Sequence, residues 1–452
     1  MIILDPEQEA GAAWVASMNG TCILGDTMGI GKTYTAISGV VRLGRWPVLC
    51  IVANPLKHVW VNHYHDWDAS ITVLPLEGRT PHRLAFPPDV VVINFAILDA
   101  WRKELTEYPW AQVIIDEAHK CGGHDTGSFK ACVKVCDRVR ENGGGILLLS
   151  GTPYTNKTTD AWRLFRLIDP SLFPEREKFE RIYDAENFAK RKCLIGAFVR
   201  RRTRQDAMRE FAKLKRSGQI MKTTPEQLDQ LKAKIAPYLM RRTVSSSWQP
   251  APEEDTVHAV ELLEDEIAAI DRNLQPEDWM KGRRRSVDFD DGQLCHALAV
   301  IAEAKAPYCA QWVAKWLKDN YPRKIVVCYK HKAMRHAIYE ATRHVCVCLD
   351  GTAQNKAAGE KKFQTEEWAR VALLHVSSTA LGLTLCAAAD MYFAEKPWTA
   401  ADFSQARARI NRRGQVEPIC RYTSCVATDT LDELVDRIIT MKAKLSKHLL
   451  GD

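Results

Sequence analysis

The chain has 452 residues, of which 46% are hydrophobic and 26% are charged. Its length is about three times that of an average domain and its composition is ordinary, so the sequence indicates two or three globular domains and excludes a disulfide-stapled module and a disordered, collagenous or membrane chain. The net charge of +7, from 63 basic and 56 acidic residues, permits a nucleic-acid or phosphate ligand without demanding one.

The first motif is glycine-rich and follows a short apolar stretch: CILG is followed by DTMGIGKTYTAI. Gly29 and Gly31 allow backbone N–H groups to converge on phosphate oxygens. Lys32 would reach the β- and γ-phosphates, and the Thr33 hydroxyl would bind Mg²⁺. The segment therefore predicts a phosphate loop, although Asp26 occupies the place of the first glycine in the strict pattern. A glycine-rich turn that caps an ordinary helix is the alternative for this segment alone.

Apolar, β-branched runs alternate with helical or polar stretches in the first third of the chain. The runs are VLCIVA at 48–53, VVVINF at 90–95, VIID at 113–116 and ILLLSG at 146–151. Continuous apolar strands separated by crossover-length segments are typical of a parallel sheet that is covered on both faces. A doubly wound α/β domain is expected, with ligands at the carboxyl ends of its strands.

Two adjacent carboxylates end one of these strands, in the segment VIIDEAHK. Asp116 is expected to hold Mg²⁺, and Glu117 to orient and deprotonate an attacking water. His119 could bond to a neighbouring motif or lie in a surface loop. Together with the phosphate loop, the pair predicts hydrolysis of ATP, with ATP and Mg²⁺ as the bound cofactors.

A second set of apolar runs begins at Lys324: KIVVCY at 324–329, VCVCLD at 345–350, VALLHV at 371–376 and DMYFAE at 390–395. The residues between the two sets lack strong strand runs and are predicted to be largely helical. The expected fold is α/β, with an N-terminal ATPase lobe at 1–170, a helical, basic insertion and linker at 171–322, and a C-terminal lobe with a C-terminal helix at 323–452.

The basic excess of the chain is concentrated in this middle region. From Glu175 to Arg242 there are 19 Lys or Arg and 9 Asp or Glu, a net charge of +10, and the run RRRTRQ at 200–205 is the densest point. Arg200, Arg201, Arg202 and Arg204 are candidate DNA contacts, with a solvated helix face as the alternative. The next stretch, 253–278, has ten acids and one arginine and could dock on a basic surface as a regulatory element.

Several segments beyond the ATPase motifs resemble the SWI/SNF-type DNA translocases of helicase superfamily two. LDPEQ looks like the adenine-reading motif of that family, which implies that Gln8 recognises the base. VANPLKHVWVNHYHDW is similar to the segment that grips a tracked strand. LSGTPYTNKTTDAWRLFRLIDPSLF resembles the coupling motif, whose core here is Ser150, Gly151, Thr152 and Pro153.

The resemblance continues through LKAKIAPYLMRRTVSS to QARARINRRGQ near the C-terminus. Gln405, Arg409 and Arg412 match the final motif of the family, and the two arginines are expected one helical turn apart on one face. By resemblance they would act as arginine fingers on the γ-phosphate. GLTL, FAE and Trp398 are similar to the annealing-helicase, HepA-related branch. The family implies two RecA-like lobes.

The resemblance also implies contacts to DNA phosphates, because a moving motor must not read bases. The candidates are Lys57, Thr152, Lys330, Ser377 and Trp398. Lobe packing is the alternative for Trp398, and a solvated surface charge is the alternative for Lys57 and Lys330.

The expected function is that of a DNA-dependent ATPase which moves along double-stranded or forked DNA. A strand-separating DNA or RNA helicase is the alternative, and a DNA-binding protein with a vestigial nucleotide site is a third. The 14 cysteines form no paired CxxC motif, and no apolar run is long enough to span a membrane. A monomeric cytoplasmic protein of bacterial or viral origin is expected, or a nuclear one if the source is eukaryotic.

Overall fold

The computed structural model describes residues 2–27, 29–83, 88–123, 126–151, 158–199, 204–217, 223–242, 249–267, 291–351, 353–376, 383–397, 399–433, 435–437 and 439. The chain forms two compact units, Met1–Ser247 with Leu445–Asp452, and Trp248–Lys444. The division between them falls inside the predicted insertion at 171–322. The three predicted domain ranges stay a prediction.

A parallel sheet forms the centre of the first unit. Its described strands are β1 (Cys22–Leu24), β2 (Val48–Val52), β3 (Val73–Pro75), β4 (Val90–Asn94), β5 (Gln112–Asp116), β6 (Gly145–Leu149) and β7 (Leu239–Met240). They lie in the order β3-β4-β2-β5-β6-β1-β7, and each neighbouring pair is parallel. The four apolar runs predicted as strands are confirmed as β2, β4, β5 and β6.

Both faces of this sheet are buried, as the apolar runs indicate. Ile23 of β1 belongs to one apolar cluster together with Leu49, whereas Cys22 and Leu24 belong to another. Because successive strand residues point to opposite faces, the two clusters lie on the two sides of the sheet. Because both faces are apolar, polar residues are expected at the edge of the sheet where the carboxyl ends of the strands lie.

Helices cover the first sheet and extend beyond it. Those described are Pro6–Ser17, Lys32–Leu43, Lys57–Trp67, Phe95–Leu98, Arg102–Glu107, Gly127–Glu141, Thr159–Ile168, Arg176–Tyr183, Ala185–Val199, Arg204–Arg216 and Pro225–Ile235. The last four lie in the basic region, whose predicted helical character is confirmed over these ranges. Nowhere in the described part of the chain is there a helix long and apolar enough to cross a lipid bilayer.

The second unit has a parallel sheet of its own. Its described strands are β8 (Glu253–Val260), β9 (Ile325–Tyr329), β10 (Cys346–Cys348), β11 (Val371–His375), β12 (Asp390–Phe393) and β13 (Cys420–Ala427). Their order is β10-β11-β9-β12-β13-β8, and the described helices are Asp291–Asp319, Lys332–Thr342, Ala353–Thr365 and Ala400–Arg407. The predicted fold class, two parallel-sheet α/β lobes, is confirmed.

Strand β8 corrects the interpretation of the acidic stretch at 253–278. The first eight residues of this stretch form β8, an edge strand paired in register with β13 from Glu253 opposite Cys420 to Val260 opposite Ala427. Arg407 bonds to the carboxylates of Glu253 and Asp255. This part of the stretch is therefore an integral strand of the sheet. Acidic residues suit it because charges at an exposed edge oppose pairing with another chain.

Candidate nucleotide site

The predicted phosphate loop joins β1 to the helix that begins at Lys32. Gly29 and Gly31 have φ angles of +96° and +92°, a left-handed conformation that glycine adopts without strain. A Cβ atom on Gly31 would also collide with the side chain of Gln8. The first N–H groups of the helix have no partner within it, so this turn can present them to an anion.

The Lys32 ammonium group lies over its own loop. Its Nζ donates to the carbonyl oxygens of Asp26 at 2.8 Å and Thr27 at 3.2 Å. Burial lowers the pKa of Lys32, while the negative charges of Glu117, Asp26 and Asp116 act in the opposite direction. The Lys32 ammonium group therefore lies within electrostatic range of both predicted catalytic carboxylates.

Gln8 lies against the same loop, as its predicted role requires. Its Nε2 is within 3.4 Å of the Ile30 carbonyl oxygen and 3.5 Å of the Gly31 carbonyl oxygen. Its Oε1 accepts from the Asp5 backbone N–H at 3.0 Å, which caps the first helix. The contact joins the segment predicted to read adenine to the predicted phosphate loop; recognition of a base by Gln8 stays a prediction.

Asp116 ends β5, two strands from β1 in the sheet, and two donors hold its carboxylate. Oδ2 accepts from the Trp60 indole Nε1 and Oδ1 from the Glu117 backbone N–H, each at 2.9 Å. Burial, followed by the charge of Glu117, raises the pKa of Asp116 to about 6. A bound cation would relieve both effects, so the residues fit the Mg²⁺ that the sequence predicts.

Glu117 has a left-handed backbone conformation, with φ of +49° and ψ of +50°. Such a conformation costs a non-glycine residue on the order of 1 kcal/mol, and it persists where the surrounding structure imposes it. Oε2 of Glu117 is buried without a hydrogen-bond partner in the described part of the chain, and it lies 3.3 Å from Nδ1 of His119. A carboxylate oxygen in this state can accept a proton from a water molecule.

His119 connects the acidic pair to the predicted coupling motif. Its Nδ1 lies 3.0 Å from Oγ of Ser150 at the end of β6. Ser150 is buried, and the carbonyl oxygen of the adjacent Gly151 accepts from Arg241 at 3.4 Å. The interpretation of His119 as a contact to a neighbouring motif is therefore supported. Thr152 and Pro153 lie outside the described residues.

The predicted arginine pair lies in the second unit, and its local structure differs from expectation. The helix Ala400–Arg407 ends before Arg409, so the two arginines do not share a helical face. Asn411, which lies in the turn after this helix, bonds to the Ala251 backbone through both polar atoms of its side-chain amide, at 2.9 Å each.

The two guanidinium groups nevertheless converge within this unit. Arg409 Nη1 and Arg412 Nη1 both donate to the Leu383 carbonyl oxygen, at 3.4 Å and 3.0 Å. Arg409 is 7% exposed, and its Nε also donates to the carbonyl oxygen of the fully buried Gln405. Their action on a γ-phosphate stays a prediction.

Of the predicted DNA contacts, Lys57 requires a correction. It is 2% exposed, and its Nζ donates to the Leu76 carbonyl oxygen at 2.9 Å and pairs with Glu77 at 2.5 Å. A buried ammonium group that is already paired does not present its charge to a phosphate. Lys330 is half-buried after β9, with its backbone N–H bonded to Glu395 at 2.8 Å.

The other predicted contacts cannot be placed. Thr152, Arg200, Arg201, Arg202, Ser377 and Trp398 lie outside the described residues. Arg204 begins the helix Arg204–Arg216, whose first side chains are likewise outside the description. All seven stay predictions.

Two residues of the site were not predicted. Trp60 supplies a donor to Asp116, and Arg242 bonds to Asp26 in the phosphate loop. Trp60 is within a segment recognised by resemblance, but no pattern shows where an indole N–H points. Arg242 is 216 residues from Asp26, a separation at which pairing cannot be inferred from one sequence.

Comparison with known proteins places the site in a wider context. The family model described as the SNF2-related domain matches residues 7–297. The DNA annealing helicase and endonuclease ZRANB3 of Homo sapiens is 26% identical over 99% of this chain and 40% of its own length. The SWI/SNF-related matrix-associated actin-dependent regulator of chromatin subfamily A-like protein 1 of Drosophila melanogaster is 23% identical over 98% of this chain and 55% of its own length.

The chain therefore spans about half, or less, of the length of these relatives. Among solved structures, the Sulfolobus solfataricus SWI2/SNF2 ATPase core in complex with dsDNA is 19% identical, with a TM-score of 0.45, over 99% of this chain and 93% of that one.

Proposed function

The chain belongs to the family of SNF2-related domains, and from this premise we propose that it is a DNA-dependent ATPase that moves along double-stranded or forked DNA. The movement would remodel DNA structures or protein–DNA complexes. The names of the relatives support the DNA substrate, since they include a DNA annealing helicase and a regulator of chromatin. The motifs that resemble the HepA-related branch favour forked DNA among the possible substrates.

The observation that carries the proposal is the convergence of three charged groups at one sheet edge. Lys32 begins the helix after β1, Asp116 ends β5 and Glu117 comes directly after it. The charges of both carboxylates act on the Lys32 ammonium group. An ammonium group over a glycine turn binds phosphate, and a paired carboxylate beside it provides a cation ligand and a proton acceptor. These groups would bind the phosphates, hold the cation and accept the proton during ATP hydrolysis.

Each residue has a definite role in the proposed reaction. The N–H groups of the phosphate loop and Lys32 bind the β- and γ-phosphates, and Gln8 reads the adenine. Thr33 and Asp116 hold Mg²⁺, which neutralises phosphate charge when it is bound. Glu117 orients the attacking water and accepts its proton.

The second unit supplies the remaining positive charge in the proposed reaction. Arg409 and Arg412 stabilise the charge that develops on the γ-phosphate, as arginine fingers do. Loss of either arginine would therefore lower turnover of ATP. Alternation between nucleotide states would then produce movement along DNA.

DNA binding is proposed to depend on the phosphate backbone. Arg200, Arg201, Arg202 and Arg204 in the basic region are the main candidates, with further contacts from Lys330. Contacts of this kind hold any sequence and allow movement along it.

Two other functions remain distinguishable by experiment. A strand-separating helicase on DNA or RNA would use the same catalytic residues. A DNA-binding protein with a vestigial nucleotide site is disfavoured, because Lys32, Asp116, Glu117, Arg409 and Arg412 are all present and the loss of one would be enough to end hydrolysis.

The test is the ATPase rate of the full chain without nucleic acid and with single-stranded DNA, duplex DNA, forked DNA and RNA. The proposal predicts the strongest stimulation by duplex or forked DNA. Strongest stimulation by RNA would contradict it, and absence of hydrolysis under every condition would favour the vestigial site.

A further inference from the structure

A short segment that leaves the basic helices runs beside the phosphate loop. This return segment (residues 239–242) begins with β7, which pairs in parallel with β1 through Ile23 opposite Leu239. The pairing continues past the strands, since the Gly25 N–H donates to the Met240 carbonyl oxygen at 2.8 Å and the Thr27 N–H to the Arg242 carbonyl oxygen at 3.0 Å. The first half of the phosphate loop is thus hydrogen-bonded along the return segment.

A buried ion pair reinforces this contact. Asp26 is fully buried, and its Oδ1 accepts from the backbone N–H of Arg242 at 2.9 Å and from Nε at 3.0 Å. Oδ2 accepts from Nη2 of the same arginine. Asp26 stands where a strict phosphate loop has glycine, and the pair gives a physical reason for the aspartate.

The Arg242 guanidinium group also contacts the first helix. Nη1 donates to the Glu7 carbonyl oxygen, next to Gln8 in the adenine-reading segment. A Cβ atom on Gly11 would lie 2.6 Å from both terminal nitrogens of Arg242, so the glycine leaves the space that the guanidinium group occupies. One arginine therefore touches both segments that are predicted to bind the nucleotide.

Arg241 extends the contacts to the coupling motif. Its Nη1 donates to the Gly25 carbonyl oxygen and lies 3.4 Å from that of Gly151. The return segment consequently bonds to the phosphate loop, the adenine-reading segment and the coupling motif within one unit.

At its other end the return segment is fixed to the helices of the basic region. Leu231 and Ile235 of the helix Pro225–Ile235 are buried in the same apolar cluster as Phe179 of the helix Arg176–Tyr183. The Tyr238 hydroxyl donates to Asp169 at 2.7 Å. A displacement of these helices would be carried into the return segment by packed side chains.

We propose that Arg242, paired with Asp26, is a positioning residue that links the basic helices to the phosphate loop, so that DNA held by those helices changes the rate of ATP hydrolysis. This inference rests on the proposed DNA-dependent ATPase activity. It assigns to Arg242 a role in coupling rather than in contact with the nucleotide.

The experiment compares the full-length wild type with Arg242→Gln, Asp26→Asn and the double variant. For each protein the ATPase rate is measured with and without duplex DNA, together with the KM for ATP, the Kd for duplex and the midpoint of thermal unfolding. The single variants should lower the ratio of DNA-stimulated to basal turnover by about tenfold, while the Kd for duplex changes by less than about twofold.

The double variant separates coupling from mere stability. Each single variant leaves a buried charge without its partner, which lowers the unfolding midpoint. The double variant places two neutral amides in the same space and should recover most of that midpoint without recovering DNA stimulation. If stimulation returned together with stability, or if the folded single variants were stimulated like the wild type, the inference would be overturned.

Arg42→Gln is the matched control. Arg42 pairs with Glu9 on the surface and also joins the first helix to the helix after the phosphate loop, but it contacts no loop residue among the described bonds. Its stimulation ratio should equal that of the wild type. If DNA did not stimulate the wild type, the proposed function would be wrong and the inference would fail with it. If DNA stimulated the wild type and the Arg242 variant equally, only the role assigned to Arg242 would be wrong.

Discussion

The Asp116 carboxylate lies where the fold disfavours its charge. Burial and the neighbouring Glu117 raise its pKa to about 6, whereas the hydrogen bond from Trp60 acts in the opposite direction. Because a carboxyl group with a raised pKa takes up its proton as the pH falls through that value, the charge needed to hold Mg²⁺ is present above about pH 6 and lost below it.

Trp60→Phe should therefore move the acid limb of the reaction to higher pH. The substitution removes a donor to the charged form of Asp116, so its pKa rises further. The measurement is kcat/KM for ATP from about pH 5 to about pH 8, which reports the ionisations of the free enzyme and of free ATP. The wild-type limb is expected near the Asp116 pKa of about 6.

Trp101→Phe controls for the loss of a buried indole in the same unit, since Trp101 donates to the Gly78 carbonyl oxygen instead. The acid limb of its pH profile should coincide with that of the wild type. The ionisation of free ATP is the same in assays of all three proteins, so it cannot account for a difference between them. A limb that Trp60→Phe leaves in place would show that the indole does not act on Asp116.

Glu117→Gln should bind ATP and hardly hydrolyse it. The amide keeps the size of the side chain but cannot accept a proton from water, and a general base contributes about 10²- to 10⁴-fold in rate. Lys32→Ala should instead lose ATP binding or turnover altogether. Equilibrium binding of ATP and steady-state turnover distinguish the two variants; normal turnover by Glu117→Gln would contradict its assignment.

At the residue scale, the sequence predicts which residues carry out the reaction better than it predicts which side chains are in contact. Lys32, Asp116 and Glu117 follow from patterns whose spacing fixes their place at a sheet edge. The burial of Lys57 against Leu76 and Glu77 does not follow, because it depends on how one helix packs on a strand connection. Asp26 was recognised only as a departure from the glycine pattern, since its partner is distant in the sequence.

At the scale of elements, the Arg407 side chain adds ion pairs to the backbone pairing that holds the edge strand β8. Arg407 forms ion pairs with Glu253 and Asp255, and its guanidinium carbon lies 3.9 Å from the centre of the Tyr422 ring on β13. Arg407→Ala should lower the free energy of opening of β8 by about 1–2 kcal/mol, because it removes a cation–π contact and two ion pairs. Amide hydrogen exchange along β8 is the measurement.

Arg421→Ala is the control on the neighbouring strand. The side chains of Arg421 and Glu254 are 39% and 56% exposed and lie 3.5 Å apart, so their pair should contribute less than about 0.5 kcal/mol. Equal acceleration of exchange in both variants would mean that Arg407 does not hold the strand.

If the arginines of the basic region bind DNA phosphates, they should affect how duplex binding depends on salt concentration. Replacing Arg200, Arg201, Arg202 and Arg204 by Gln should weaken duplex binding and flatten its dependence on salt, by about 0.9 in the log–log slope for each DNA phosphate that is no longer neutralised. Binding is measured over a range of salt concentrations. Neutralising Lys130, Lys134 and Arg138, which lie on the helix Gly127–Glu141, should leave the slope unchanged.

If the slope were the same in both sets of variants, the arginines would form a solvated face and would not bind DNA.

Among elements, the apolar runs were correctly predicted as strands because a strand buried on both faces has a continuous apolar sequence. β8 lacks such a run and is held by its pairing with β13, and the turn after the helix Ala400–Arg407 is bonded to Ala251 through Asn411. Both features involve tertiary contacts that local sequence does not contain.

For the whole molecule, the basic excess behind the net charge of +7 is concentrated in one stretch of the chain. The stretch from Glu175 to Arg242 carries +10, and its last residues bond directly to the phosphate loop. The charge that would hold the polyanion and the loop that would hold ATP are therefore connected within one compact unit. The fold class and the family could be predicted from sequence; this connection required the structure.

Movement along duplex DNA is the central claim, and displacement of a third strand from a DNA triplex tests it most directly. Wild-type protein should release the third strand only when ATP is present, Glu117→Gln should not release it, and the underlying duplex should stay paired. A third strand that remains bound during duplex-stimulated ATP hydrolysis would contradict movement, and separation of the duplex itself would identify a strand-separating helicase instead.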